Sequence, residues 1–147
     1  MAATYNKFQD FVEQLCAGKQ IINSTTQQLN VTLTNSAPVA TNTILSNITQ
    51  IANANGYTTN GIDTQNTGSE TTGTFTLVGT KCVWTCATAP MGPFQYVVLH
   101  NETEVTSPVR PLIAWWDYGA PVTLQIGETF SVKFNSSDTT GNILTLT

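Results

Sequence analysis

The sequence predicts a mainly β protein, an antiparallel β-sandwich or jelly-roll-like domain with a short N-terminal helix and a second short helix. Three observations point there. Only 10% of the 147 residues are charged, against about 25% in an ordinary soluble protein, and polarity is carried by Thr, Asn, Ser and Gln, which suit pleated surfaces and turns. From Thr74 onward, short alternating apolar runs recur at roughly ten-residue spacing. The breaks between them, MGP, YGAP, IGE and TTGN, carry Gly or Pro. At this length one domain over 1–147 suffices, with a helix over 1–18 and a β-rich body over 19–147 that includes a helix near 43–55.

Taken in order, the first element is helical. Thr4 can cap TYNKFQDFVEQLCAGK, where Tyr5, Phe8, Phe11, Val12 and Leu15 follow the 3 and 4 spacing of one helix face, and Gly18 supplies the stop. Cys16 reads as packing on that apolar side. LNVTLT then alternates Leu29, Val31 and Leu33 with polar neighbours, as on a half-buried strand. Past the Pro38 loop, Ile44, Leu45, Ile48, Ile51 and Ala52 form a short helical stripe ended by Asn55-Gly56. YTTNGIDTQNTGSETTG, residues 57–73, reads as a hairpin tip or surface loop with one turn signal at Asn60-Gly61. Strands follow: TFTLV, then KCVWTC with Cys82, Trp84 and Cys86 on one face, and FQYVVLH, apolar on both faces in its middle. VTLQI, TFSVKF and ILTLT complete the set.

RPLIAWWDYGAPVTL holds the adjacent Trp115 and Trp116. On a strand, successive side chains point to opposite faces, so the two rings cannot form one platform. Trp115 should lie with Ile113 and Asp117, and Trp116 with Leu112, Ala114 and Tyr118. Trp116 is the expected core residue and Trp115 the residue covered by a partner, with Gly119 and Pro121 turning the chain directly afterwards.

Material for catalysis is sparse. His100 ends a strand without a nucleophile motif beside it, and Asp117 reads as a turn residue rather than as one of a glycosidase carboxylate pair with Glu128. Glu102 and Glu104 read as solvated loop charges. Cys82 and Cys86 stand about 13 Å apart on an extended strand, too far for a disulfide, and lack the further ligands of a zinc site. No catalytic residue, cofactor or metal site is expected. With a net charge of −4 and five scattered cations, neither nucleic acid nor an anionic membrane is an expected partner. MAATYNKFQDF has neither the basic nor the apolar region of a signal peptide, and no run approaches the roughly 20 apolar residues of a membrane span, so synthesis in the cytoplasm is expected.

The apolar surface exceeds what two small helices and a sandwich need, which favours assembly over catalysis. Tyr5, Phe8, Phe11, Val12, Leu15, Trp115 and Asp117 are the candidate interface residues.

The segments YNKFQDFVEQLCAGK, VTLTNSAPVATNTILSNITQIANANGYTTNG and GPFQYVVLHNETEVTSPVRPLIAWWDYGAPVTLQIGETFSVKF resemble, in their order, small structural proteins of tailed bacteriophages. The resemblance spans nearly the whole chain and rests on scaffold patterns rather than active-site motifs; the lengthened polar segment IDTQNTGSETTG departs from it. It implies a β-rich, non-enzymatic virion component made in the host cytoplasm. The specific expectation is a capsid decoration or cement protein, a homotrimer on the major capsid protein at the capsid surface. The alternatives are a neck, tail or fibre component, or a carbohydrate-binding module stacking sugars on Trp115 or Tyr118.

Overall fold

The computed structural model describes residues 3–23, 26–135 and 140–147. Among these residues the protein is mainly β, with antiparallel sheets and one α-helix. The strands are β1 (Tyr5–Lys7), β2 (Leu29–Thr34), β3 (Ile62–Asp63), β4 (Thr67–Thr71), β5 (Thr74–Gly79), β6 (Cys82–Thr85), β7 (Met91–Asn101), β8 (Leu112–Leu124), β9 (Thr129–Val132) and β10 (Gly141–Leu146). The helix, α1, runs from Asp10 to Cys16. A five-stranded sheet has the order β1-β8-β7-β2-β3, a three-stranded sheet the order β10-β5-β4, and β6 pairs with β9. The main core lies between the large sheet and the two smaller ones, and contains Leu29, Val31, Leu33, Leu77, Trp84, Phe94, Leu99 and Ile143.

LNVTLT alternates as predicted, yet every residue of β2 is buried, so the strand is not half-exposed. The second face of the large sheet is covered by the segment between β2 and β3. That cover satisfies the polar side chains beneath it: Thr34 Oγ1 donates to Thr49 O (2.6 Å) and Asn30 Nδ2 to Asn60 O (3.0 Å). Leu45 and Ile48 from this segment join Phe8, Val98 and Leu112 in a smaller core, against which Trp115 packs.

The helix predicted near 43–55 is not formed; Leu45–Asn47 make a single 3₁₀ turn. Two causes act together. Thr43, Ile44, Ile48, Thr49 and Ile51 are β-branched and stiff at χ1, and Asn47 Oδ1 takes the backbone N–H groups of Thr43 (3.0 Å) and Ile44 (3.2 Å), a local alternative to helical bonding. The chain then extends along β2, with Ile51 N–H donating to Leu33 O (3.1 Å).

The N-terminal helix is also shorter than predicted. Tyr5, Asn6 and Lys7 pair with Trp116, Trp115 and Ala114 of β8, and only Asp10–Cys16 are helical. An isolated helix of this length is marginal in water, whereas the β8 edge offers the first residues a hydrogen-bonded partner. The stop at Gly18 (φ 69°) is as predicted. Cys16 is exposed instead of packed.

Residues 57–73 are not a bare loop. Tyr57, Thr64 and Asn66 are buried, β3 and β4 lie within the segment, and Asn60 (φ 70°) and Gly61 (φ 76°) form the predicted turn. A second two-residue turn, Thr72-Gly73 with both φ positive, joins β4 to β5. MGP and YGAP do not break the chain: both lie inside long strands. Three more residues of β8 than of β7 lie between the pairs Tyr96↔Asp117 and Phe94↔Val122, so Gly119 (φ 94°) sits in a bulge and the strand continues through Pro121. Pro121 is tolerated because β1 pairs only with residues 114–116, leaving this part of β8 an edge. IGE is a turn as predicted, closed by Glu128 N–H to Gln125 O at 3.0 Å.

Candidate functional site

The two tryptophans of β8 do face opposite ways. Trp115 packs on the smaller core and Trp116 on the main one. Their companions differ from the simple alternation, because Ile113 is an extra residue between the pairs His100↔Leu112 and Leu99↔Ala114. That bulge brings Leu112 to the side of Trp115 and leaves Ile113 in the main core.

The predicted interface residues do not form one surface. Phe8 and Phe11 are buried inside their own chain, Leu15 packs on the main core, and Trp115 lies against Phe8. Val12 is exposed. Asp117 is exposed and its Oδ1 accepts Gln95 Nε2 (2.9 Å) and Gly119 N–H (2.7 Å), the turn-type role expected of it.

Two other places concentrate chemistry. The first is the loop that joins β7 to β8. Glu102 Oε2 is 3.0 Å from His100 Nε2 and 2.9 Å from Arg110 Nε, and Glu102 Oε1 accepts Asn60 Nδ2 at 3.0 Å. Asn60 N–H donates to Gln50 Oε1 (2.8 Å), which also accepts the Tyr57 hydroxyl (2.6 Å). Glu102 is therefore no solvated loop charge: it ties the loop to the segment over the large sheet. Glu104 serves the loop itself, accepting Thr106 N–H at 2.9 Å.

His100 is wholly buried. A carboxylate only accepts, so Nε2 carries the proton donated to Glu102 and the buried Nδ1 is the bare nitrogen, without a partner. Burial pushes the imidazole pKa down, against the raising pull of Glu102, so the ring is neutral at neutral pH. Burial alone would raise the Glu102 carboxyl, but the His100 hydrogen bond and the adjacent Arg110 guanidinium outweigh it and hold the carboxyl below its usual range. Burial pushes the Tyr57 hydroxyl up to about 12.

Beside this cluster lies a shallow pocket of about 230 Å³ lined by Ile44, Leu45, Ile48, Gln50, Val109 and Arg110. The two loops that frame it are bonded to each other: Leu45 N–H donates to Arg110 O and Leu112 N–H to Thr43 O, both at 2.9 Å. Exposed aliphatic side chains stand on the same loops, namely Val39, Val105 and Val109.

The second place is a cleft of about 760 Å³ between the β1–β8 side of the large sheet and β9–β10. Tyr5, Trp116, Tyr118, Phe130 and Phe134 line it. Tyr5 meets Trp116 edge-on (centroids 5.7 Å, 71°) and Tyr118 meets Phe130 edge-on (5.7 Å, 76°). These are favourable aromatic geometries that fix each ring.

Sequence reasoning found the shared face of Trp116 and Tyr118 and missed the network. His100, near the end of β7, and Glu102, two residues on in the loop, carried the only local signal; Arg110 comes from the far end of the same loop, and Gln50 and Asn60 from the distant segment between β2 and β3. Among the described residues, no three His, Cys, Asp or Glu side chains converge as metal ligands would, and no helix is long and apolar enough to cross a membrane. Comparison with protein-family models, curated proteins and solved structures finds no match to this chain.

Proposed function

We propose that the chain is a non-enzymatic structural protein of a bacteriophage virion, specifically a decoration or cement protein that binds the capsid surface as a homotrimer and bridges subunits of the major capsid protein. The resemblance in element order to small phage structural proteins motivates this reading. The observation that carries it is the loop face at the β7–β8 end. Val39, Val105 and Val109 are exposed on two loops that are hydrogen-bonded together and braced by the Glu102–Arg110 ion pair. Exposed aliphatic side chains on loops bonded to each other, with Val109 lining a pocket whose wall includes Ile44, Leu45 and Ile48, suit coverage by another protein. Each such contact is small, but a trimer that engages several capsid subunits at once multiplies weak contacts through effective concentration.

Mass spectrometry of purified particles tests the reading. The chain should be present at a copy number comparable with the capsid subunit, and Val105→Asp with Val109→Asp should remove it from particles without unfolding it. Its absence from particles overturns the proposal; a few copies per particle places it at the neck, tail or fibre instead.

A further inference from the structure

The aromatic cleft shares no lining residue with the loop pocket and is unused by the proposed assembly. We propose that it binds a neutral saccharide, with the exposed Tyr118 and Tyr5, neighbours on the β1–β8 strand pair, as its stacking rings. This inference stands apart from the virion reading, because it rests on the cleft alone.

The chemistry of the lining selects the ligand. At about 760 Å³ the cleft falls within the roughly 300–1,000 Å³ of small-molecule sites. Its walls are aromatic, yet the solvent side is not sealed by apolar residues: Tyr118 and Tyr5 remain 47% and 38% exposed. Each exposed ring is held edge-on by a more buried partner, Phe130 or Trp116, so little side-chain freedom is lost when a ligand stacks on it. Ser131 and Asn142 also line the cleft. Asn142 uses its Nδ2 on Thr145 Oγ1 (2.9 Å), and its carbonyl oxygen can still accept from a ligand hydroxyl. Among the described lining residues the one charged side chain is Lys133.

Three ligand classes meet this lining differently. A fatty acyl chain would place hydrocarbon against Ser131 and Asn142 and remove them from water without replacement bonds. A polyanion would meet a single amine. A neutral sugar presents apolar C–H faces to rings and hydroxyls to amide and hydroxyl groups, and needs no counter-charge. The saccharide alone uses both halves of the lining.

The test is a titration of the full chain with neutral oligomers of glucose, galactose and N-acetylglucosamine, followed by calorimetry and by tryptophan emission in a Trp115→Phe background that removes the opposite-face signal. Saturable binding is expected with at least one oligomer. Tyr118→Ala should weaken it by about tenfold or more, as truncation of an aromatic anchor does, while Tyr118→Phe should stay within about threefold by keeping the ring. Tyr5→Ala provides a second variant of the stacking pair, and thermal melts confirm that each variant is folded. No saturable binding by any oligomer, or binding that both alanine variants retain, overturns the proposal. So does tight binding of a fatty acid or detergent at the same two tyrosines, or a concentration-dependent dimer that Tyr118→Ala dissolves.

Discussion

The indole of Trp115 lies against the ring of Phe8, with centroids 4.5 Å apart and planes inclined by 43°. The side chain expected to meet a partner thus packs in part on the chain's own N-terminal segment, directly after that segment pairs with β8. Phe8→Ala should destabilise the fold by about 3–5 kcal/mol, the range for emptying a fully buried aromatic site, whereas Val12→Ala, at an exposed position of α1, should stay within about 0.5 kcal/mol. Urea titration measures both, and in Phe8→Ala the Trp115 emission should shift to the red.

The two glycine turns should differ sharply. A Cβ on Gly61 would stand 1.8 Å from Val31 O, and one on Gly73 would meet nothing within 4 Å, although both have positive φ. Gly73→Ala should therefore cost only the left-handed backbone term, about 1–2 kcal/mol. Gly61→Ala adds a backbone clash against β2 and should cost several kcal/mol, at least about twice as much. Equal denaturation midpoints for the two variants would show that the 58–61 turn does not pack on β2 as described.

The thiols should separate by accessibility. Cys16 is exposed, while Cys82 and Cys86 are buried, and burial pushes the Cys82 thiol up to about 12, with the Asp63 charge adding to it. Because the thiolate is the nucleophile, native protein should release one equivalent with a disulfide reagent and denatured protein three, matching the three cysteines of the sequence. Cys16→Ser should abolish the native reaction.

The reach of the sequence follows from how local each signal is. Period-two alternation put Cys82, Trp84 and Cys86 on one face, the face the structure buries in the core, and split Trp115 from Trp116, because both need only the geometry of a strand. Gly18 and the Asn60-Gly61 turn were legible because positive φ is a property of a residue and its neighbours. Three errors share the opposite cause. The pairing of Tyr5 with Trp116 joins residues on distant segments, so a helical spacing over 5–15 gave no sign that its first turn would be captured by a sheet edge. The extra residue Ile113 is defined only against β7, so the exchange of Leu112 and Ile113 between faces was invisible in β8 alone. The polar network joins Gln50 and Asn60 of the β2–β3 segment to His100, Glu102 and Arg110 of the β7 end and its loop, and Glu102 reads as a loop charge until its partners are in place.

That network makes stability depend on acidity in a direction that can be fixed in advance. Burial lowers the His100 pKa from its ordinary value of 6.5, so the folded chain resists a proton that the unfolded chain accepts. Its contribution is present above about pH 6.5 and is lost as pH falls from there toward the depressed folded value. Glu102 acts in the same direction at lower pH. Its folded pKa lies below the ordinary 4.5, so its contribution is present above that value and lost as pH falls through the folded one. The other carboxylate of the loop, Glu104, is held low by Thr106 and follows Glu102. Urea midpoints of the native chain should therefore fall in two stages between about pH 7 and pH 3, first on the histidine and then on the carboxylates. His100→Gln keeps a donor for Glu102 but cannot titrate; it should flatten the upper stage and leave the lower one in place. An upper stage unchanged in His100→Gln would assign it to another group and remove the buried neutral imidazole from the account of this loop.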